Sequence, residues 1–413
     1  MPLWGGVYFV QFGVPAITTQ GRDVLSVFPA HDVVSSLSLI VAGAAFCLLF
    51  FYTPIGQWVD RLSPKLKAPW DPRRAPLSGV ILCLIGLAVS YYLLISDPIP
   101  GLEQPLYILS KSSTLGMLTL FLLQLRRQLS FYLKIFLWGF LFPIHYLLGI
   151  GSGAVYQAVA LLVPFFLCYA AERRRIPVVG PLLFILIFII PFLGVKEEFR
   201  SYAWYGDQPG VILSESPLKR GLFFVQLVIR NFTEGGKESF LAAAETAQER
   251  TSILELLTNV RETTPGMIPF WKGETYATAI WLLVPRALFP NKPVESVGQE
   301  FGHRYGFIAA DDLDTSVNLP YQIVEMYINF GVWGVLVGMA LVGSLYRALS
   351  NLLGRPDSGE RAILVGCVAL TFLLNLDGSF TIMFGGMLYC LLILSVVARF
   401  FHGTTGSLPA APA

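Results

Sequence analysis

The sequence predicts an all-α, polytopic membrane protein. Of the 413 residues, 54% are hydrophobic and only 14% are charged, whereas roughly a quarter of the residues of a soluble domain are charged. The mean hydropathy is +0.63, and many apolar runs approach the roughly 20 residues that a membrane-spanning helix needs. We therefore expect a bundle of about ten transmembrane helices, within a range of nine to twelve.

The apolar runs place the candidate spans along the chain. The first run is short, so whether it spans is left open. The runs are Leu3–Ala16, Val33–Tyr52, Leu77–Ile95, Leu106–Leu125, Phe131–Ile150, Val155–Ala171, Val178–Val195, Tyr321–Leu345, Ala362–Leu376 and Phe380–Phe400. These runs divide the chain into an N-terminal transmembrane bundle (1–195), a loop domain (196–319), C-terminal transmembrane helices (320–401) and a tail (402–413).

The distribution of Lys and Arg predicts the orientation. The loops around Arg74, Arg126, Arg173 and Arg361 are strongly basic, whereas the alternate loops carry almost no basic residues. Because short basic loops remain in the cytoplasm, both termini are predicted to be cytoplasmic and the loop domain to lie outside.

The loop domain is about 120 residues long and too polar to be embedded in lipid, so we predict a small, largely helical domain. Residues 238–262 have helical composition and an apolar stripe, formed by Ile253, Leu256, Leu257 and Val260. The run that ends in "LVPRALFPNKP" is predicted to be a re-entrant or interfacial segment over residues 276–290. A full crossing there would invert the charge pattern downstream, and Pro285 and Pro290 break the helix.

Basic residues in the outer segment indicate a site for an anionic lipid head group, above all a pyrophosphate. Arginine binds phosphate oxygens in bidentate fashion and lysine binds them as a point charge. The candidates are Lys196, Arg200, Arg250, Arg261, Arg286, Lys292 and Arg304. The alternative for each is a solvated or snorkelling side chain.

Glu325, in "PYQIVEMYINFG", lies just inside the outer boundary of the eighth predicted helix. A carboxylate there is suited to act as a general base, and the alternative is an ion pair with an arginine that packs the helices.

Lys111 is a second ionisable residue inside a predicted span. The five cysteines all lie in apolar runs and the four histidines are scattered, so neither a thiolate nucleophile nor a metal site is indicated.

The segments "GSGAVYQAV", "GVKEEFR", "VPRALFPNKP", "TSVNLP" and "EMYINFGVWG" occur in this order. This order resembles the bacterial Wzy-type oligosaccharide repeat-unit polymerases, which make O-antigen or exopolysaccharide. The resemblance implies a GT-C-like fold in the bacterial inner membrane. It also implies a large helical periplasmic loop domain between helices 7 and 8, and an active site that faces the periplasm.

The resemblance also implies the reaction. The donor is a glycan on undecaprenyl pyrophosphate and the acceptor is a second lipid-linked repeat unit, and no metal, cofactor or nucleic acid takes part. Membrane lipids and a Wzz-like chain-length regulator are the other implied partners. An O-antigen ligase and a lipid-linked oligosaccharide flippase are the alternatives, but a flippase has little use for a long outer domain.

The site expected from this resemblance combines the cations with Glu325. Glu325, Arg250 and Arg286 are the expected catalytic residues. The pyrophosphate and substrate are expected to be bound by Lys196, Arg200, Arg261, Lys292, Arg304 and Tyr305. Asp314 and His303 are alternatives to Glu325 as the base.

Overall fold

The computed structural model describes most of the chain. The described residues are 24–53, 70–96, 99–153, 155–175, 179–184, 190–205, 215–231, 233–234, 254–277, 281, 284, 289, 291, 297–312, 322–353, 359–374 and 379–402. All regular secondary structure within these ranges is helical, which confirms the predicted all-α class. The helices, in chain order, are α1 Ala30–Tyr52, α2 Ala75–Ile95, α3 Glu103–Ser110, α4 Ser112–Leu125, α5 Phe131–Phe136, α6 Phe142–Ile150, α7 Val155–Arg173, α8 Val179–Phe184, α9 Ile190–Arg200, α10 217–231, α11 Leu254–Thr263, α12 Glu274–Ala277, α13 Val297–Arg304, α14 Gln322–Leu353, α15 Gly359–Ala369 and α16 Phe380–His402.

Six helical stretches within the described residues are long and apolar enough to cross a membrane. They are Ala30–Tyr52, Ala75–Ile95, Glu103–Leu125, Phe131–Ile150, Gln322–Asn351 and Phe380–Phe401. The stretch Phe131–Ile150 joins α5 to α6 through a π-helical turn at Leu137–Leu141. The protein is therefore a polytopic α-helical membrane protein, and the count of ten spans stays a prediction. The first apolar run, Leu3–Ala16, lies outside the described residues.

The chain forms two compact units, each built from segments distant in sequence. The first unit contains residues 1–65, 248–352 and 372–387. The second unit contains residues 66–247, 353–371 and 388–413.

A break in α14 shapes the first unit. Gly331 has φ 64° and ψ −150°, a region that is accessible only to glycine, so α14 consists of α14a (322–330) and α14b (332–353). A Cβ atom on Gly334 would lie 2.4 Å from the carbonyl oxygen of Met326, and one on Gly338 would lie 2.5 Å from the Met326 sulfur. Residues eight apart are about 12 Å apart in a straight helix, so α14b folds back beside α14a. The apolar run predicted over Tyr321–Leu345 is thus found as a candidate span, and the structure adds a break at Gly331 within it.

Helix α1 packs closely against α11 and α14 within the first unit. A Cβ atom on Gly343 would lie 2.2 Å from the carbonyl oxygen of Cys47 in α1, so glycine is what allows the two backbones to approach. Leu257 and Val260 of α11 are fully buried in this core. These two residues belong to the stripe that the sequence predicted, whereas Ile253 lies outside the described residues.

The second unit is organised around α4, which packs against α2, α7 and α15. A Cβ atom on Gly116 of α4 would lie 2.4 Å from the carbonyl oxygen of Gly79 in α2, so glycine again permits the contact. Lys111 lies between α3 and α4, with its ammonium group 4.5 Å from the centre of the Tyr107 ring. This intramembrane cation is therefore held in part by a cation–π contact.

Candidate functional site

Helix α14a carries three polar residues on one face. Gln322, Glu325 and Asn329 are spaced three and four residues apart, so their side chains lie on the same side of the helix. All three are buried, with Glu325 0% exposed. Buried polar groups require hydrogen-bond partners, so this face depends on the segments that pack against it.

Glu325 meets the beginning of α16. Its Oε2 atom accepts a hydrogen bond of 2.6 Å from the backbone N–H of Phe380, the first residue of that helix. Ser379 caps the same helix by accepting the N–H of Ile382 at 3.1 Å. The first N–H groups of a helix have no partner within the helix and carry the positive end of its dipole. This contact adds a helix terminus to the surroundings of Glu325, and the ion pair with an arginine that the sequence left open stays a prediction.

Asn329 binds the start of α12 and the residue that precedes it. Its Nδ2 atom donates to the Thr275 hydroxyl at 2.9 Å and to the Glu325 carbonyl at 2.8 Å. Its Oδ1 atom accepts the N–H of Gly273 at 2.8 Å. Asn329 therefore connects the backbone of Glu325 to the residues on either side of Glu274.

The break at Gly331 explains why this segment docks there. The carbonyl groups of Ile328 and Asn329 accept hydrogen bonds from the N–H groups of Trp271, at 3.0 Å, and Lys272, at 3.2 Å. In a continuous helix these carbonyls would accept bonds from residues four positions later. The broken helix thus provides acceptors that hold residues 271–273 in place.

The docking of residues 271–273 also positions Tyr276, in α12, close enough to Glu325 for the charge of Glu325 to act on it. Its ring stacks on Phe330, with centroids 6.4 Å apart, and meets the Phe380 ring edge-on at 6.1 Å. Burial, and secondarily the negative charge of Glu325, raise the pKa of Tyr276. The phenol therefore stays protonated at physiological pH. We refer to Glu325, Asn329, Thr275, Tyr276 and the backbone N–H of Phe380 as the Glu325 cluster.

An apolar groove of about 470 Å³ begins at this cluster. Its lining residues are Tyr276, Met326, Phe330, Trp333, Gly334, Val337, Gly338, Leu341 and Phe380. Trp333, Val337 and Leu341 are exposed, and they lie on α14b, within an apolar stretch that meets the criteria for a membrane span. One wall of the groove thus belongs to a candidate membrane-spanning helix, and its lining includes Tyr276 and Phe380, two members of the Glu325 cluster.

Two of the predicted cations lie in the first unit. Arg261 donates to the Ser36 hydroxyl at 3.0 Å, and its Nε atom has no hydrogen-bond partner among the described residues. Arg304 donates to Glu274 at 2.8 Å and to Glu300, and its guanidinium lies 4.1 Å from the Trp271 ring centre. Because two carboxylates neutralise Arg304, its environment favours holding the Trp271 segment, whereas the hydrogen bond of Arg261 goes to an uncharged hydroxyl.

Tyr305 and His303 make local contacts around α13. The Tyr305 hydroxyl lies 2.6 Å from the Thr264 hydroxyl, and burial raises the pKa of Tyr305. The Nε2 atom of His303 lies 2.9 Å from the carbonyl oxygen of Asp312. These contacts join the end of α13 to its neighbouring loops.

The remaining predicted residues are divided between the second unit and the undescribed segments. Lys196 and Arg200 lie on α9 in the second unit, where Arg200 is 3.7 Å from Glu197. Four of the predicted site residues lie outside the described residues, namely Arg250, Arg286, Lys292 and Asp314. Most of the predicted re-entrant segment 276–290 also lies outside them.

Three residues of the Glu325 cluster were not predicted from the sequence. Asn329 carried a usable signal, because Gln322, Glu325 and Asn329 are spaced to share one face of a helix. Thr275 and Tyr276 carried no such signal, since their position depends on the break at Gly331, more than 50 residues later.

The comparisons with known proteins give one match. A family model described as "Domain of unknown function (DUF8712)" matches residues 73–403, well over half of the chain. The search of curated proteins and the search of solved structures each found no match. The matched range contains α2 to α16 and the whole Glu325 cluster. The chain therefore belongs to the DUF8712 family.

Proposed function

We propose that the protein is a membrane glycosyltransferase that polymerises undecaprenyl-pyrophosphate-linked oligosaccharide repeat units on the periplasmic face of a bacterial inner membrane. The observation that carries the proposal is the buried carboxylate of Glu325 in a cluster whose Tyr276 and Phe380 line an apolar groove on a candidate membrane-spanning helix. A reaction between two lipid-linked sugars is served by a base at the acceptor hydroxyl and by an apolar surface for the polyprenyl chain beyond the pyrophosphate.

In the proposed reaction, Glu325 accepts the proton of the acceptor hydroxyl as its oxygen attacks the anomeric carbon of the donor sugar. The bond between that carbon and the pyrophosphate oxygen breaks, and undecaprenyl pyrophosphate leaves with the electron pair. Pyrophosphate is already a good leaving group, so the protein has to position the two sugars and stabilise the departing charge. No metal or nucleotide is needed for this balance.

Two further features support the proposal. The groove is lined almost entirely by apolar side chains, which fits the chain of a polyprenyl lipid rather than a sugar. Arg261, which donates to the Ser36 hydroxyl, is the cation of the first unit that is proposed to meet a phosphate oxygen. Arg250, Arg286 and Lys292 remain the other proposed cations.

Reconstitution tests the function directly. The purified protein would be placed in nanodiscs with the undecaprenyl-pyrophosphate-linked repeat unit, in the absence of metal and nucleotide sugar. We expect a ladder of glycans on a gel, together with released undecaprenyl pyrophosphate. Movement of the lipid-linked unit across a liposome bilayer without a ladder would mean a flippase, and transfer to lipid A alone would mean a ligase. Either result would contradict the proposal.

A further inference from the structure

A second charged region lies in the second unit, where Arg126 joins three helix ends. Arg126 follows the last residue of α4, and its Nε and Nη2 atoms donate to the two carboxylate oxygens of Glu172 on α7, at 2.9 and 3.1 Å. Its Nη1 atom donates to Glu360, in the first turn of α15, at 2.9 Å. The carboxylate of Glu360 is therefore already engaged by Arg126.

Arg361, the next residue, is placed where a cation is unfavourable. It lies in the first turn of α15, where the helix dipole is positive. It is only 9% exposed, and its Nε atom has no hydrogen-bond partner among the described residues. Burial, and secondarily the positive charge of Arg399, lower the pKa of Arg361, so a charge of the same sign acts on its guanidinium.

A bound anion would offset the burial of Arg361, the like charge of Arg399 and the positive end of the helix dipole. An anion beside the guanidinium of Arg361 would separate the two like charges and meet the N–H groups at the start of α15 that have no partner within the helix. Arginine also presents its donors in a geometry that matches phosphate oxygens.

The location indicates which anion is available. Arg399 lies near the end of the apolar stretch Phe380–Phe401, which places it at the level of the lipid head groups. Four further arginines are exposed at the adjacent ends of α4 and α7, namely Arg127, Arg173, Arg174 and Arg175. The two helix ends are held together by the bond from Arg173 to the carbonyl of Leu125, at 2.8 Å.

Two of these arginines occupy backbone positions that favour glycine. Arg127 and Arg174 have φ of 60° and 54°. Arg127 follows a Schellman pattern, since its N–H bonds to the Gln124 carbonyl and the N–H of Gln128 bonds to the Leu123 carbonyl. The effect of a positive charge on topology does not depend on the backbone conformation of the residue that carries it. The topology alone therefore does not explain why arginine, rather than glycine, occupies these two positions.

We propose that Arg361 and Arg399 bind the phosphodiester head group of an anionic membrane phospholipid, within the arginine-rich surface formed by the ends of α4 and α7. This site belongs to the second unit and is independent of the Glu325 cluster. It is expected on the cytoplasmic side, according to the distribution of basic loops.

The test compares phosphatidylglycerol with phosphatidylcholine. The thermal unfolding of the purified protein would be measured in detergent with each lipid added, and lipid binding would be counted by native mass spectrometry. A ligand that binds only the folded state raises the unfolding temperature. We expect phosphatidylglycerol to raise it and phosphatidylcholine to leave it unchanged.

The variants separate binding from folding. Arg361→Gln removes a buried like charge, so we expect equal or higher stability without lipid and about a tenfold loss of phosphatidylglycerol affinity. Arg399 is exposed, so Arg399→Gln should fold even if Arg361→Gln does not. It should show the same loss of phosphatidylglycerol affinity. Lys219→Gln removes one exposed charge elsewhere in the second unit and should bind like the unchanged protein. Unchanged affinity in both arginine variants, or an equal response to inorganic phosphate, would overturn the proposal.

Discussion

Glu325 in the first unit and Arg126 in the second are both largely withdrawn from water, but different partners stabilise them. Arg126 is 29% exposed and lies within 2.9 Å of two carboxylates, so opposite charges neutralise it. Glu325 accepts the N–H of Phe380 at a helix terminus, and a dipole stabilises a charge without cancelling it. The contacts of Arg126 with Glu172 and Glu360 are therefore suited to hold three helix ends together, whereas the contact of Glu325 fixes its carboxylate against the start of α16.

The largest effect on stability is expected at Arg126. Arg126→Gln leaves Glu172 and Glu360 close together and about a quarter exposed, so we expect a loss of about 3 kcal/mol, at the lower end for a broken buried pair. The buried free cysteines react with a thiol reagent as the protein unfolds, which provides the measurement. Lys219→Gln is the control and should change nothing measurable. Equal free energies of unfolding in the two variants would contradict a stabilising role for the contacts of Arg126 with Glu172 and Glu360.

The next effect tests the break on which the Glu325 cluster depends. Gly331→Ala places a side chain at φ 64° and ψ −150° and puts its Cβ 3.0 Å from the Phe270 ring. We expect a loss of about 2 kcal/mol. Gly139→Ala is the matched control, since the nearest atom to its Cβ is 3.8 Å away, and it should unfold at the same temperature as the unchanged protein. A harmless Gly331→Ala would mean that α14 is not broken there.

A smaller effect concerns the link between Asn329 and Thr275. Their side chains are joined by one hydrogen bond of 2.9 Å, and we expect a coupling free energy of about 1 kcal/mol between Asn329→Ala and Thr275→Ala. The free energies of unfolding of both single variants and of the double variant give this value. Strict additivity would show that the two side chains do not act together.

The smallest effect is visible only at high pH. The pKa of Tyr276 is raised above its ordinary value of 10.0, so the folded state holds this proton after the unfolded chain has released it. The stabilisation by the protonated phenol is present below about pH 10 and is lost as the pH rises through the folded pKa. Tyr276→Phe should therefore lose less stability above pH 10 than the unchanged protein. Parallel curves for the two proteins would contradict the assigned environment of Tyr276.

Hydropathy predicted the membrane-crossing stretches well where one apolar run forms one helix. The stretch Phe131–Ile150 has the predicted bounds, and α1 ends at the predicted Tyr52. Hydropathy is a sum over residues, however, and it does not register a change of backbone direction. It therefore missed the break at Gly331, because "INFGVWG" remains apolar on both sides of the glycine.

The candidate site was predicted in part. Glu325 stood out because an ionisable residue at the boundary of a span needs a reason to be there. Its partner could not be predicted, since the N–H of Phe380 is a backbone group and leaves no trace in the pattern of side chains. Arg304 resembled a phosphate ligand in the sequence. Glu300, one helical turn earlier, was a readable signal of an ion pair, whereas Glu274 lies 30 residues earlier and could not be paired with it from the sequence.

The central claim is that Glu325 acts as the base of a lipid-linked sugar transfer. The most direct measurement is the rate of glycan ladder formation by Glu325→Gln in nanodiscs. The amide oxygen of this variant can still accept the N–H of Phe380, so the fold should be kept. Glu255→Gln, which alters an exposed carboxylate in the same unit, is the matched control. We predict at least about a hundredfold lower rate for Glu325→Gln and an unchanged rate for the control. A folded Glu325→Gln protein that polymerises at the full rate would contradict the claim.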